Sequence, residues 1–497
     1  MHQAPRPQRP PRGPARRGPD PVQSERVAQR QLSQRTSARR HLRDAQQSDA
    51  GQPHRRPRLL SPTRPMFLGF LAALAAGTGL LMLPAASRAP GGADLLDAAF
   101  TAVSALCVTG LSTVDTATYW TPFGQIVILV LIQLGGLGVM TFASLLGFFV
   151  MHRVSLKDRI SAAAEHGSQD FAHVRQAVIS VIAVSLTVEA LVAVALALRF
   201  WLHDHISLGR ALELGGFHAV SSFNNAGFAL FSDNLSGFAG DPFILVPISV
   251  SIVIGGLGFP VIMQLVRHRG NQRLWSMNTR LVLVGTVVLL AAGTVVVTAL
   301  EWGNPKTLGT MPPADRVLNG FFQAVQTRTA GFSSVDIGSL HPVTWMAMDV
   351  LMFIGAGPAG TGGGIKITTF TVLFFIIVSE IRGTQDVNIF GKRLALSVHR
   401  QAITVALLSV ALVVGSTALL MLLSSESTDR LFFEVVSAFA TAGLSTGITA
   451  SLPAAAKAVL MALMFIGRLG PITFATALAL RVRPVQYELP TERPIIG

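Results

Sequence analysis

Four glycines in this sequence each close a short apolar stretch with the same kind of turn, a turn able to present backbone carbonyl oxygens to a cation. The first stretch reads Ser104-Ala-Leu-Cys-Val-Thr-Gly110-Leu-Ser-Thr113 and the fourth Ser437-Ala-Phe-Ala-Thr-Ala-Gly443-Leu-Ser-Thr446, identical at six of ten positions. The second gives Ala219-Val-Ser-Ser-Phe-Asn-Asn-Ala-Gly227-Phe228. The third, one residue shorter before its glycine, gives Ala324-Val-Gln-Thr-Arg-Thr-Ala-Gly331-Phe332. Glycine adopts conformations closed to other residues, so its carbonyls can be aimed free of side-chain interference. One such copy reads as a glycine-capped short helix. Four make a carbonyl ring that can replace the hydration shell of a monovalent cation. Its lining is Val108, Thr109, Gly110 and Leu111; Asn225, Ala226, Gly227 and Phe228; Thr329, Ala330, Gly331 and Phe332; and Thr441, Ala442, Gly443 and Leu444.

To act together these turns need elements that carry them to one place. Half of the 497 residues are hydrophobic and 13% are charged, against roughly 25% charged in a soluble domain. That excludes a disordered chain and points to a polytopic membrane protein. Eight apolar runs are long enough to cross about 30 Å of hydrocarbon. They are Met66 to Leu83, Phe123 to Met151, Ala177 to Leu198, Pro242 to Val266, Leu281 to Leu300, Val343 to Val378, Ala402 to Leu423 and Ala454 to Leu480. The first reads as a retained helix, because the stretch before it is far too long for a signal-peptide n-region. Basic residues gather in alternate connections: Arg153, Lys157, Arg159 and Arg175; Arg267, Arg269, Arg273 and Arg280; Arg382, Lys392, Arg393 and Arg400. Both termini are therefore expected in the cytoplasm. The opposite connections carry acids, among them Asp94, Asp97, Asp204 and Asp241, and each holds one of the glycine-ended stretches. These are too short to span and have the length of a re-entrant half-helix.

A second landmark recurs 24 to 28 positions beyond each glycine: Gly135-Gly-Leu-Gly138, Gly255-Gly-Leu-Gly258, Gly355-Ala-Gly357 and Gly467-Arg-Leu-Gly470. Units that cross twice all point the same way and are related by an axis along the membrane normal. The expected fold is an all-α polytopic membrane protein of eight transmembrane spans. Four parallel repeats of helix, re-entrant pore loop and helix (M1-P-M2) surround a pseudo-fourfold pore, at residues 66–152, 153–270, 271–385 and 386–497. Residues 1–65, rich in Arg and Pro, read as a disordered cytoplasmic tail. With 15 Arg and four acids the tail holds eleven of the fourteen net positive charges. The excess is thus a topology signal and secondarily a contact for anionic membrane lipid, not a nucleic-acid footprint.

Other residues stand out within this frame. The run Gly355-Ala-Gly-Pro-Ala-Gly-Thr-Gly-Gly-Gly-Ile-Lys366 superficially resembles a phosphate loop, but its lysine follows isoleucine and the run lies inside a hydrophobic span. Gly360, Thr361, Gly362, Gly363 and Gly364 cannot hold a stiff helix, so the span is expected to break there, a close-packed kink being the alternative. Arg468 lies mid-span, where arginine costs about 2.5 to 3.5 kcal/mol, and must face a cavity or a partner. Asp115 and Asp336, five residues beyond their glycines, and Asp233, six beyond its own, would concentrate cations at a mouth; solvated surface charge is the plainer reading. His218 and Arg328 read as hydrogen-bond support behind the turns and Glu189 as helix packing. The single cysteine, Cys107, excludes an internal disulfide or a cysteine-rich metal site. No metalloprotease helix, Walker loop or nucleophile elbow is present, so neither an enzyme nor a covalent cofactor is expected. Same-sense repeats and few intramembrane carboxylates also disfavour a secondary transporter with a midplane site.

The four turns, the Gly355–Lys366 run and Gly467-Arg468-Leu-Gly-Pro471 together resemble the Trk/Ktr/HKT superfamily of potassium transporters, over essentially all of Met66 to Gly497. Eight spans make the chain more similar to the Ktr membrane subunit than to the longer Trk form. The resemblance implies potassium uptake, with the ion held by the backbone carbonyls of Gly110, Gly227, Gly331 and Gly443. Glycine at all four positions goes with potassium selectivity in that family, and serine at the first with sodium. A sodium-permeable or sodium/potassium-cotransporting member is the alternative, and sodium dependence stays open. The resemblance further implies that Gly360 to Gly364 with Lys366 form a gate under the filter and that Arg468 is a cationic barrier beside it. It implies a homodimer in the cell membrane whose contact includes the terminal Glu492-Arg-Pro-Ile-Ile-Gly497, and a cytosolic ring of nucleotide-binding regulatory subunits. Asn224, Asn225 and Val108 depart from a uniform filter and suggest fewer ion sites than a tetrameric channel has.

Overall fold

The computed structural model describes residues 63–152, 167–268, 271–384 and 386–470. The tail through residue 62, Arg153, Lys157, Arg159, Arg269, Pro471 and the Glu492–Gly497 segment lie outside them. The architecture is helical. In chain order the described helices of ten or more residues are α1 (Thr63–Leu81), α2 (Leu95–Leu106), α3 (Pro122–His152), α4 (Gly167–Leu202), α5 (Leu208–Phe223), α6 (Pro242–Leu257) and α7 (Phe259–His268). They continue as α8 (Met277–Glu301), α9 (Pro313–Gln326), α10 (Pro342–Phe353), α11 (Ile367–Ile381), α12 (Leu396–Leu423), α13 (Thr428–Ala440) and α14 (Ala454–Leu469).

Local chemistry sets several of the starts. Asp94 caps α2 by accepting from the Leu96 amide, Asp241 caps α6 with Pro242 at the first helical position, and Ser276 caps α8 through the Thr279 amide. Among the described residues the one hairpin, β1 (Asn388–Ile389) against β2 (Lys392–Arg393), turns at Phe390 and Gly391, both at positive φ.

Three described segments are single helices long and apolar enough to cross a membrane: Val178–Leu202, Met277–Glu301 and Leu396–Leu423. They bury little of themselves, and Leu191, Val287, Leu407 and Leu422 stand well exposed. An apolar surface of that extent suits a lipid solvent rather than water. The run expected as one span over Pro242 to Val266 is not straight, since α6 and α7 meet at 97°. The bend sits at Gly258, whose φ is 89°, followed two residues later by Pro260, which lacks an amide hydrogen. The Val343 to Val378 run is divided too, into α10 and α11, at the glycine-rich segment where a break was expected.

The four short helices occupy the centre. Phe100, Phe223, Phe322, Phe433 and Phe439 on them are fully buried, each contributing about 2 kcal/mol through removal from water or headgroup. Each short helix packs on the long helix before it and on a helix of the preceding group: α2 on α1 and α14, α5 on α4 and α3, α9 on α8 and α6, α13 on α12 and α10. Because α2 meets α14, the contacts close on themselves.

The small-residue motifs make this approach close. A methyl at Gly135 would overlap the Leu106 carbonyl, at Gly255 the Phe223 carbonyl and at Gly467 the Phe439 carbonyl, in each case the carbonyl four residues before a turn glycine. The third copy differs: a methyl at Gly355 would strike the Gly363 carbonyl within its own loop. Gly467→Ala is therefore expected to lower stability by about 1–3 kcal/mol through overpacking, read as a lower thermal midpoint of the purified protein. Gly415→Ala, at a helical position with open space around it, should leave the midpoint unchanged or higher. Equal midpoints for Gly467→Ala and the parent would contradict this packing.

Candidate functional site

Each short helix runs into a backbone that alternates in handedness. Val108, Asn225, Thr329 and Thr441 have φ of 55°, 59°, 66° and 51°, and the glycines two residues on have φ of 96°, 68°, 82° and 78°. The residue between them is not in the left-handed region. In an ordinary extended chain successive carbonyls point to opposite sides; alternating the sign of φ turns them to one side. For a β-branched residue such as Val108 this conformation costs on the order of 1–3 kcal/mol and must be held by its surroundings.

The hold comes from the half-helices. Val108 and Thr109 donate their amides to Ala105 and Ser104 at 3.1 and 2.8 Å, Asn225 and Ala226 to Ser222 and Ser221 at 3.1 and 2.7 Å, and Ala330 to Gln326 at 3.0 Å. Thr441 and Ala442 donate to Ala438 and Ser437 at 3.1 and 2.8 Å. Side chains of the same helices add to it. Ser104 Oγ accepts from the Gly110 amide at 3.1 Å, Ser221 Oγ donates to the Phe228 carbonyl at 2.8 Å, and Gln326 Oε1 accepts from the Phe332 amide at 3.0 Å. The amides thus satisfy the helix ends. The carbonyls of the four turns accept no hydrogen bond from other described residues, Phe228 excepted.

The turns meet one another in cyclic order. A methyl at Gly110 would lie 2.5 Å from the Ala226 carbonyl oxygen, one at Gly227 2.7 Å from that of Ala330, and one at Gly331 2.9 Å from that of Ala442. One at Gly443 would overlap the Thr109 carbonyl, closing the ring. Any side chain at these four positions collides with the next turn.

Two adjoining cavities open on one side of the ring. The first, of about 260 Å³, is lined by Gly110, Gly227, Asp115, Ser232 and Asn234 among others; the second, of about 240 Å³, by Gly110, Gly331, Gly443, Ser445 and Thr449 among others. Of the three expected mouth acids, Asp115 is on this lining, and Asp233 and Asp336 line neither cavity. Asp336 instead caps a short helical turn through the Gly338 amide at 3.0 Å. Asp115 accepts from Ser232 Oγ at 2.6 Å, Thr118 Oγ1 at 2.7 Å and the Ala117 amide at 2.9 Å. Partial burial raises its pKa, but these hydrogen bonds outweigh burial and hold the carboxyl below the usual range. It stays charged at neutral pH.

The glycine-rich segment lies against the ring from its other members. A methyl at Gly362 would meet Thr329 and one at Gly363 would meet Thr441. Thr361 Oγ1 donates to Asn225 Oδ1 at 3.0 Å, and Asn225 Nδ2 donates to the Arg328 carbonyl at 3.3 Å. Asn225, where the other turns have valine or threonine, thus joins the second turn to the third and to the loop. The loop is anchored on the bend between α6 and α7: Gly357 donates to the Gly256 carbonyl at 2.8 Å, Thr361 to that of Gly255 at 3.2 Å, and Phe259 to that of Ala359 at 3.2 Å. Gly258 is needed there, since a Cβ would overlap the Pro358 carbonyl.

Two cations cap adjacent carbonyls of this loop. Lys366 Nζ donates to Gly362 at 2.5 Å, and buried Arg468 donates through Nη1 to Thr361. Arg468 Nη2 reaches the Gly135 carbonyl of α3 at 2.8 Å, so one guanidinium joins α14, the loop and the first unit. Its partners are carbonyls rather than an acid. His218 stands behind the second turn, with Nδ1 on the Leu214 carbonyl at 2.7 Å and Nε2 accepting from the Leu230 amide at 3.3 Å. Arg328 reaches Thr286 Oγ1 at 3.3 Å. Glu189 does more than pack helices: Ser185 Oγ donates to it at 2.7 Å, Gln133 Nε2 at 3.0 Å and Asn224 Nδ2 at 3.3 Å, which ties α3 and α4 to the second turn. The roles of Gln133 and Gln326 were not read from the sequence: Gln133 belongs to no repeated motif, and Gln326 replaces the serine that the other three stretches carry at its place, Ser104, Ser221 and Ser437.

Residues 73–483 match the family model described as TrkH, cation transport protein. The chain is 38% identical over 419 residues to the Ktr system potassium uptake protein B of Bacillus subtilis, covering 84% of this chain and 93% of that protein. It is 37% identical over 435 residues to the Ktr system potassium uptake protein B of Vibrio alginolyticus, covering 87% and 94%. Its fold is similar to the crystal structure of the potassium transporter TrkH from Vibrio parahaemolyticus, with a TM-score of 0.68 at 17% identity over 86% of this chain and 87% of that one.

Proposed function

The chain belongs to the TrkH family of cation transport proteins, and from that premise we propose that it carries potassium into the cell through the ring of four glycine turns. The observation that carries the reading is the cyclic approach of the turns, each glycine facing the carbonyl that precedes the next glycine. A potassium ion entering from the two cavities exchanges water for the carbonyls of Thr109, Ala226, Ala330 and Ala442 and of the glycines that follow. Asp115 raises its local concentration at the entrance. The relatives named potassium uptake proteins, at 38% and 37% identity, support potassium as the cargo.

The surrounding layout follows from the same reading. Four units, each of two crossings and a half-helix, surround the path, with both termini in the cytoplasm and the apolar faces of α4, α8 and α12 toward lipid. The Gly360–Gly364 segment with Lys366 gates the inner end, since it touches Thr329 and Thr441 and is held by hydrogen bonds that can be exchanged. Arg468 places positive charge beside that gate and clamps it to α3. The protein works as a homodimer with a cytosolic regulatory ring that engages the gate from inside.

The decisive test is growth of a potassium-uptake-deficient strain at limiting potassium, with the regulatory partner supplied. The intact protein rescues growth and Gly331→Ser does not, because a side chain there meets the Ala442 and Thr109 carbonyls. Failure of correctly inserted intact protein to rescue would reject the function. A second expectation concerns the gate. Arg468→Ala removes the clamp and the barrier together, so flux per inserted molecule rises; unchanged or lower flux would contradict the barrier role.

A further inference from the structure

A third register runs through the four units. Nine residues before the turn glycine, eight in the shortened third unit, stand Thr101, His218, Gln323 and Glu434. In three units this side chain holds the residue three positions beyond the glycine. His218 accepts from the Leu230 amide at 3.3 Å, Gln323 Nε2 donates to Ser334 Oγ at 3.4 Å, and Glu434 accepts from the Thr446 amide at 2.9 Å. In the first unit Asp97, one turn earlier, receives Thr113 Oγ1 at 2.7 Å instead.

The position is structurally constant and chemically divergent, and Glu434 is its fully buried carboxylate. Besides the Thr446 amide it accepts from Ser445 Oγ at 2.5 Å, Thr449 Oγ1 at 2.8 Å and Thr446 Oγ1 at 3.3 Å. All of these donors are neutral. Among the described residues no basic side chain lies within ion-pair distance of it. Ser445 and Thr449 themselves line the 240 Å³ cavity with Gly331 and Gly443. The carboxylate is thus one hydroxyl removed from the space outside the ring. The four donors favour the charged form of the carboxyl, a cation that comes near is drawn to that charge, and a low-dielectric wall carries its field further than water does.

We propose that Glu434 supplies a fixed negative charge behind the fourth turn and thereby sets the affinity of the outer mouth for the entering cation. It is a positioning residue that acts through Ser445 and Thr449 and does not touch the ion. The inference rests on the potassium-uptake reading above, and uptake by the intact protein is measured beside every variant, so that failure of that reading appears in the parent alone.

The experiment is rubidium uptake in cells against external concentration. Glu434→Gln keeps the shape, and the hydroxyls of Ser445, Thr446 and Thr449 can rotate to suit an amide. It is expected to raise the half-saturating concentration by about threefold or more while the maximal rate per inserted molecule stays near that of the parent. Glu434→Gln combined with Gln323→Glu, which returns the charge to the same position in the third unit, is expected to recover most of the affinity. An unchanged half-saturating concentration in inserted Glu434→Gln overturns the proposal, as does a rise that the inserted double variant fails to reverse, which would mark a purely structural role. Should Glu434→Gln not insert, Gln323→Glu alone decides: a lower half-saturating concentration supports the fixed charge, and an equal or higher one overturns it.

Discussion

The structure is organised by the fate of the backbone hydrogen bonds where the four short helices end. A helix terminus leaves carbonyls that need donors, and here the amides of the following turn supply them. With those amides turned back into the helices, the carbonyls of Thr109, Ala226, Ala330 and Ala442 each face the glycine of a neighbouring turn. Buried carbonyls are nearly always paired, and a ring of them is a ready set of oxygen ligands for a cation. Every other feature serves this exchange: the left-handed residues that reverse the chain, the serine and glutamine side chains that fix it, and the motif glycines that let neighbouring helices reach the helix ends.

The quartet is not symmetric, and the departures are concentrated in the second and third units. The second unit breaks at Gly258 and the third at Gly355 to Lys366, and the two breaks hydrogen-bond to each other. A loop inside an apolar region is tolerated when protein satisfies its backbone, and the bend between α6 and α7 does so on one side while Lys366 and Arg468 do so on the other. Arg468 has its own cost of about 2.5–3.5 kcal/mol at such depth, offset here by carbonyl partners from two different units. The cation and the loop stabilise each other, so a change in either reaches the ring through Thr361 and Asn225.

Much of this was legible in the sequence because it recurs. Four glycines at matching places and four small-residue motifs 24 to 28 positions beyond them set the expected turns and half-helices, and the glycine-rich run Gly360 to Gly364 set the expected break in the third unit. What recurs without identity was not legible. Thr101, His218, Gln323 and Glu434 share a place and no chemistry, so only coordinates show the contact that three of them have in common. The bend at Gly258 escaped for a different reason: the matching Gly138 of the first unit lies inside a continuous helix while the matching Gly470 ends α14 at a φ of 86°, and the loop that requires the bend comes a hundred residues later. Asp233 and Asp336 were expected with Asp115 because their spacing from the glycines is similar, yet Asp115 alone of the three lines the cavities. Spacing along the chain does not report which way a connecting segment turns.

The claim that the four turns form one cation site can be examined by anomalous diffraction from crystals of the protein grown with thallium(I), a heavy ion close to potassium in size. The account predicts a peak enclosed jointly by the carbonyls of Thr109, Ala226, Ala330 and Ala442. Thallium bound only elsewhere, or turns too far apart for one ion to touch more than a single unit, would contradict it.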